Sequence, residues 1–254
     1  MSGRLVKLSG GSKIIMKKNE KFFLVTGANS DIGFQTCKLI LKEKHKLLAL
    51  FNKNSNNIDL LEDKNLTKAH VNFSSHNSVE KFIDKNSDLL KKIDVFISLA
   101  SMRKNNKYGS ITTKDLIDHF LVNTVPEVLF TQFLGPNMAK RNWGRIIVAG
   151  SIGVKFGGGR NSYPYSVSKS ACEIIPNIAK EWAKKNVLTN VVRVGVTATS
   201  AYKSNPSLEV EKRVSMIPMK RFANPNEIAE FIYWLSSEKN SYITNELLSI
   251  SGGE

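Results

Sequence analysis

The run Lys21-Phe-Phe-Leu-Val-Thr26 passes at once into Gly27-Ala-Asn-Ser-Asp-Ile-Gly33, and apolar residues follow at Cys37, Ile40 and Leu41. The first run reads as a buried strand. The last set has helical spacing. Strand, glycine turn and helix in that order confine the chain to few architectures. Glycines permit the tight turn and a close approach of backbone to a pyrophosphate, and the first N–H groups of the helix supply donors. One residue cuts the other way. Asp31 stands in the loop, where a carboxylate beside a phosphate is electrostatically unfavourable. As a helix N-cap it has an ordinary structural role.

The alternation then continues. Strands are expected over His45 to Phe51, Leu66 to Phe73, Ile93 to Leu99, Ile146 to Ala149, Leu188 to Val194 and Glu246 to Ile250. Between them lie helical patterns. Val79, Phe82, Ile83 and Leu90 mark one, Thr113 to Arg141 a second with a kink at Pro126, Tyr165 to Lys185 a third broken at Pro176, and Ile228, Phe231, Ile232 and Leu235 a fourth. Strands alternating with helices predict an α/β fold with a doubly wound parallel sheet, Rossmann-like, helices on both faces. With no repeat and no linker after residue 20, residues 21–254 read as one domain. Residues 1–20 read as a flexible leader, since Met1 to Ser12 is rich in Gly and Ser, and Met16 would itself make a natural start.

In such a sheet ligands bind beyond the C-terminal strand ends. Gly27 to Gly33, Asn72, Ser98 to Ala100, Ser151 and Gly195 all fall there. The second strand ends in Phe51-Asn52-Lys53-Asn54, with no acidic residue to bind an adenosine ribose and exclude a 2′-phosphate. With Lys53 adjacent, NADP(H) is favoured over NAD(H).

The stretch Gly144 to Ala171 carries the candidate chemistry. A short apolar strand leads to Ser151, a loop holds Gly157-Gly158-Gly159, and a helix begins near Tyr165. Tyr165 and Lys169 are four residues apart and share a helix face. A cation beside a phenol favours the phenolate, which is how a tyrosine serves as a general acid or base near neutrality. Tyr163 has no such partner, because four residues on stands Val167. Ser151 is placed to hydrogen-bond a substrate oxygen.

Composition narrows the classes. Of 254 residues, 41% are apolar, enough for a sizeable core, yet no apolar run is long enough to span a bilayer. The net charge is +15, but the lysines are spread along the chain without aromatic interleaving, which argues against specific nucleic-acid binding. Cys37 and Cys172 form no disulfide framework or metal spacing. The histidines (45, 70, 76, 119) are scattered and no G-x-S-x-G is present, so neither a metal site nor a serine hydrolase is expected. The absence of a signal peptide and the reduced cysteines point to the cytoplasm.

Over nearly all of residues 20 to 254 the chain resembles the short-chain dehydrogenase/reductase family. Thr26-Gly-Ala-Asn-Ser-Asp-Ile-Gly33 is similar to its TGxxxGIG loop, Ser151 with Tyr165-x-x-x-Lys169 to its catalytic set, and Asn123 to its helix asparagine, which holds a proton-relay water. Arg193-Val-Gly195 with Thr199 resembles the PG…T stretch at the nicotinamide, and Arg221 to Ala229 and Ile243 to Gly253 its tail. The resemblance implies a carbonyl–alcohol oxidoreductase with Asn123, Ser151, Tyr165 and Lys169 as the catalytic residues. It implies dinucleotide contacts at Gly27, Asn29, Ser30, Asp31, Ile32, Gly33, Asn52, Lys53, Asn72, Phe73, Ala100, Tyr165, Lys169, Val196 and Thr199. Four departures stand out: Asp31 for a glycine, Ser98-Leu-Ala-Ser101 for NNAG, Val194 for a proline, and a loop about one residue longer between Ser151 and Tyr165. Lys140-Arg141-Asn-Trp-Gly-Arg145 resembles the basic stretch that 3-oxoacyl-acyl-carrier-protein reductases use near their acidic carrier. The family's sugar- and polyketide-modifying members are a second substrate option. The alternative reading is a non-catalytic dinucleotide-binding regulator of the same fold. A homodimer or homotetramer through the two long helices is implied by analogy.

Overall fold

The computed structural model describes residues 5–7, 13–15, 20–52, 54–200 and 210–254. Near the N-terminus, where no element was expected, β1 (Leu5–Lys7) and β2 (Lys13–Ile15) pair antiparallel. The main sheet has seven strands: β3 (Phe22–Thr26), β4 (Lys46–Phe51), β5 (Leu66–His70), β6 (Val95–Ser98), β7 (Gly144–Ser151), β8 (Val187–Val194) and β9 (Leu247–Ile250). Their order is β5-β4-β3-β6-β7-β8-β9 and every pairing is parallel.

Strand side chains alternate between two cores. Leu24, Phe96, Ile146, Val148 and Val191 face one. Phe23, Val25, Val95, Ile97, Ile147 and Val192 face the other. The first core is closed by α2 (Ser78–Lys85), α3 (Ser87–Leu90), α4 (Thr113–Asn123), α5 (Val125–Lys140) and α7 (Ala179–Ala183), through residues such as Ile83, Leu90, Val122, Phe130 and Trp182. The second is closed by α1 (Asp31–Lys42) and a helix at Pro225–Ser236, with Cys37, Ile40, Ile228 and Ile232. Both strand faces are buried, which is why strands such as β4 and β7 read as unbroken apolar runs.

Several boundaries differ from expectation. The segment over 113–141 is two helices parted at Thr124. Pro126 lacks an N–H, suits only the first turn of a helix, and so starts α5 instead of kinking one long helix. The third helical pattern is also shorter than expected: α6 spans Tyr163–Ala171, and a turn containing Pro176 separates it from α7. α6 starts two residues before Tyr165, with Pro164 in its first turn. β5 ends at His70, and Val71 and Phe73 leave the edge of the sheet to enter the first core. The short helix α8 (Val210–Met216) precedes the last helix, α9 (Pro225–Ser236).

Candidate active site

The strand order reverses between β3 and β6, and the crevice beyond their C-terminal ends is where such sheets hold ligands. The Thr26 hydroxyl ties the two strand ends by accepting from the backbone N–H of Leu99 at 3.1 Å and of Ala100 at 3.2 Å. This cross-link uses backbone donors, so Ser98-Leu-Ala-Ser101 supplies it without an asparagine. Gly27 has φ +66°, and a Cβ there would lie 2.7 Å from the Leu99 and Ala100 backbones. A Cβ on Gly33 would lie 2.2 Å from the Gly27 carbonyl. The loop is thus packed to a depth only glycine allows, which is the cradle a dinucleotide's phosphates require.

The loop's other residues have assigned partners. Ser30 is the N-cap of α1: its hydroxyl accepts from Gly33 N–H at 3.1 Å and donates to the Gly27 carbonyl at 2.8 Å. Asp31 follows the cap instead of forming it. Its carboxylate accepts from the backbone N–H of Ser200 at 2.8 Å and from the Ser200 hydroxyl at 3.1 Å. Ile32 is half-buried against the second core. The Asn29 carbonyl oxygen of the side chain accepts from Asn57 N–H at 2.9 Å and Ile58 N–H at 3.0 Å, and its amide donates to Asn54 at 2.6 Å. Asn29 therefore braces the loop after β4.

That loop is where an adenosine ribose would be read. Asn52 is half-buried just past β4, and Lys53 lies outside the described residues. The first carboxylate beyond β4, Asp59, is held by Lys68 at 2.9 Å and by Ser55. Asn72 is exposed and its side chain accepts from Ser74 N–H at 3.0 Å. Phe73 is 3% exposed, so its ring is core and only its backbone is left for an adenine. Ala100 is buried under Thr26, and Val196 and Thr199 sit on the segment leaving β8, where the Val196 carbonyl accepts from Ala223 N–H at 2.9 Å.

On the other side of the crevice, Ser151 ends β7, and its hydroxyl accepts from Gly153 N–H at 3.2 Å. Tyr165 is half-buried on α6. One turn further on, Lys169 is 3% exposed and its ammonium donates to the Ala149 carbonyl at 2.7 Å. The lysine thus reaches β7 two residues short of Ser151. Asn123 meets none of the three directly. Its side chain accepts from Met102 N–H at 2.6 Å and donates to the Met102 carbonyl at 3.0 Å and to Ser168 Oγ at 2.8 Å. Its backbone carbonyl accepts from the Cys172 thiol at 3.2 Å. The Asn123 amide is a clamp between α4, α6 and the loop after β6.

Three features escaped the sequence. Glu127, in the first turn of α5, is 6% exposed and contacts the Cys172 thiol; burial pushes its carboxyl up to about 7, against the pull of the Lys169 charge. Glu173 holds Arg193 through two bonds of 2.8 and 2.7 Å. The Arg103 guanidinium lies over the Tyr165 ring, 5.9 Å from its centroid. Each is a meeting of distant segments that no local spacing announces.

The basic stretch at 140–145 is elsewhere. Arg145 is 2% exposed and donates to the carbonyls of Gly144, Asn186 and Asn240, while Arg141 is bonded to the carbonyls of Lys91 and Ile93. Both lie at the N-terminal end of β7, the opposite end of the sheet from Ser151; Lys140 and Arg141 are exposed and Arg145 is buried. Among the described residues no cluster of His, Cys, Asp or Glu could hold a metal ion, and no helix is long and apolar enough to cross a membrane.

A family model described as enoyl-(acyl carrier protein) reductase matches residues 27–254. The chain is 29% identical over 245 residues to the 3-oxoacyl-(acyl-carrier-protein) reductase of Buchnera aphidicola subsp. Schizaphis graminum, covering 94% of this chain and 98% of that one. It is 28% identical to the acetoacetyl-CoA reductase of Cupriavidus necator, over 92% of this chain and 98% of the relative. The fold matches the crystal structure of a 3-oxoacyl (acyl-carrier-protein) reductase from Agrobacterium tumefaciens with NADP bound, with a TM-score of 0.81 at 22% identity, covering 92% and 94% of the two chains. A nucleotide cradle at the sheet's switch point, with a serine, tyrosine and lysine across the crevice from it, is therefore carried on a chain that belongs to the short-chain dehydrogenase/reductase family and is an NAD(P)-dependent oxidoreductase.

Proposed function

We propose that this chain reduces the keto group of a 3-oxoacyl substrate to a secondary alcohol, with NADPH preferred over NADH. The observation that carries the reading is the buried ammonium of Lys169, fixed on the Ala149 carbonyl one helical turn from Tyr165 and two residues before Ser151. Bound reduced nicotinamide supplies the hydride. Tyr165 gives its phenolic proton to the carbonyl oxygen, and Ser151 orients that oxygen through its hydroxyl. Lys169 favours the tyrosinate left behind and is placed to hold the nicotinamide ribose. Asn123 acts at one remove, by fixing Met102 and Ser168 around the site.

The cofactor's phosphates fit against Gly27 to Gly33 and the start of α1, with Val196 and Thr199 toward the nicotinamide. The preference for NADPH rests on the end of β4, which carries Asn52 and Lys53 and no free carboxylate, and on the NADP held by the Agrobacterium structure. The 3-oxoacyl group follows the names of the curated relatives, a 3-oxoacyl-(acyl-carrier-protein) reductase and an acetoacetyl-CoA reductase. Apolar side chains left exposed on and beside α4 to α7, Ile117, Val128, Ile174 and Ile178, support a homo-oligomer through these helices. A cytoplasmic setting fits a chain of this chemistry.

Fluorescence titration with NADPH and NADH, followed by assay on acetoacetate and on acetoacetyl thioesters, tests the proposal. NADPH is expected to bind about tenfold tighter or more and to be oxidised in step with alcohol formation. Binding of neither nucleotide would overturn the catalytic reading in favour of a regulator.

A further inference from the structure

The two segments that flank Tyr165 carry only positive charge. Residues 99–111, between β6 and α4, contain Arg103, Lys104 and Lys107 and no Asp or Glu. Residues 151–172, from Ser151 through α6, contain Lys155, Arg160 and Lys169 and again no acid. The two segments are joined over the site: Asn106 N–H donates to the Asn161 carbonyl at 2.9 Å, Tyr108 N–H to the Arg160 carbonyl at 3.3 Å, and the rings of Tyr108 and Tyr163 meet edge to face at 5.3 Å.

Arg103 holds a particular place in this rim. The residues on either side of it are pinned. Met102 is clamped by Asn123 through both its N–H and its carbonyl. Lys104 donates its backbone N–H to His119 at 3.3 Å and its ammonium to Asp118 at 2.8 Å. The carboxylates on α4 are engaged, Asp118 by Lys104 and Lys114, Asp115 by Thr112. Among the described residues Arg103 has no carboxylate partner. It is exposed, on a fixed backbone, with its guanidinium over the Tyr165 ring.

A guanidinium is a planar fork matched to a carboxylate. From a position over the Tyr165 ring it reaches groups only a few bonds from a carbonyl that the phenol protonates. The phosphates of a carrier arm or of CoA lie far along the chain and do not meet it there. We infer that Arg103 is a specificity-determining residue that receives a carboxylate next to the reacting carbonyl, so that the preferred substrate is a free 3-oxo acid and not its neutral ester or thioester. The inference rests on the carbonyl-reductase reading and names the form in which the acyl group is presented. Lys107 and Arg160 add to the field that draws the anion in.

The test compares acetoacetate, ethyl acetoacetate and acetoacetyl-CoA as substrates for NADPH oxidation by the full chain and by Arg103→Met and Arg103→Lys. Among the described residues Arg103 makes no hydrogen bond, and thermal melts verify that each variant folds. The wild type is expected to turn over acetoacetate with a kcat/KM about tenfold or more above the ethyl ester. Arg103→Met is expected to remove that preference, chiefly through KM, with the acid losing about tenfold more than the ester. Arg103→Lys keeps the charge without the fork and restores part of it. A wild type that prefers the ester or the CoA thioester, or an Arg103→Met variant that loses equally on acid and ester, overturns the inference and leaves the reductase reading standing. Intact NADPH binding with no turnover of any of the three overturns both.

Discussion

The carboxylate of Asp31 in the nucleotide loop accepts both the backbone N–H and the hydroxyl of Ser200, 169 residues away. These bonds give the acid a partner at a position where the family has glycine. They also tie the segment leaving β8 to the start of α1. The charge itself is retained. Removing it with Asp31→Asn is expected to tighten NADPH binding a few-fold at low ionic strength, and the gain should shrink near 0.15 M salt, where the Debye length is about 8 Å. Paired titrations at the two salt concentrations check this. Equal affinities at low salt would mean that Ser200 has already quenched the charge.

The sheet was legible because buried parallel strands are continuous apolar runs, and β3, β4 and β7 are bounded by turn residues. Tyr165 and Lys169 were legible because their spacing is local, so it survived a helix start two residues early. The direction of the Phe73 ring was not legible, because a motif position says nothing about which way a ring faces; it enters the core, and the edge strand ends before it. The true partners of Asn123 and Asp31 were not legible at all. Met102 and Ser200 reach them only once loops from different crossovers are packed together, and no periodicity encodes that. The same holds for Arg145, whose place beside the family's basic stretch suggested a surface role although its guanidinium is buried among carbonyls.

Asn123 is a structural keystone on this reading, and its removal should be felt in stability. Asn123→Ala strips the partners from Met102 N–H, the Met102 carbonyl and Ser168 Oγ in a buried setting. A loss of about 2 kcal/mol or more is expected from groups left unsatisfied, seen as a lower urea midpoint with an unchanged slope. An unchanged midpoint would show that water replaces the amide.

Tyr165→Phe and Lys169→Met separate chemistry from architecture. Removing the phenol oxygen is expected to cut turnover by about 10²–10⁴-fold while NADPH still binds and the protein melts as before. Removing the ammonium also leaves the Ala149 carbonyl without its 2.7 Å donor, so turnover, nucleotide affinity and stability should all fall. Retained turnover in Tyr165→Phe would refute its role as proton donor.

Gly33→Ala tests the cradle. The added Cβ would meet the Gly27 carbonyl at 2.2 Å, and that partner is backbone. The loop has to shift, with a destabilisation of about 1–3 kcal/mol as for other overpacked sites. NADPH affinity should fall with it, in the same titration used for the wild type. Wild-type affinity in a folded variant would place the phosphates elsewhere.

Glu127 predicts a pH dependence of stability. Its carboxyl goes from an ordinary 4.5 to about 7 in the folded chain, because burial disfavours the carboxylate more than Lys169 and the Cys172 thiol favour it. The folded state therefore binds the proton more tightly than the unfolded state. The resulting stabilisation is fully present below about pH 4.5, declines as pH rises, and is lost above about pH 7. A rise of this size corresponds to about 3 kcal/mol across the window. Glu127→Gln keeps the shape and removes the proton. Subtracting its unfolding free energy from that of the wild type at each pH cancels the other titrating groups. The difference is expected to shift against the wild type as pH rises from 5 to 7.5. A flat difference would mean that Lys169 holds Glu127 ionised throughout, and that the two form a buried ion pair beside the proposed proton donor.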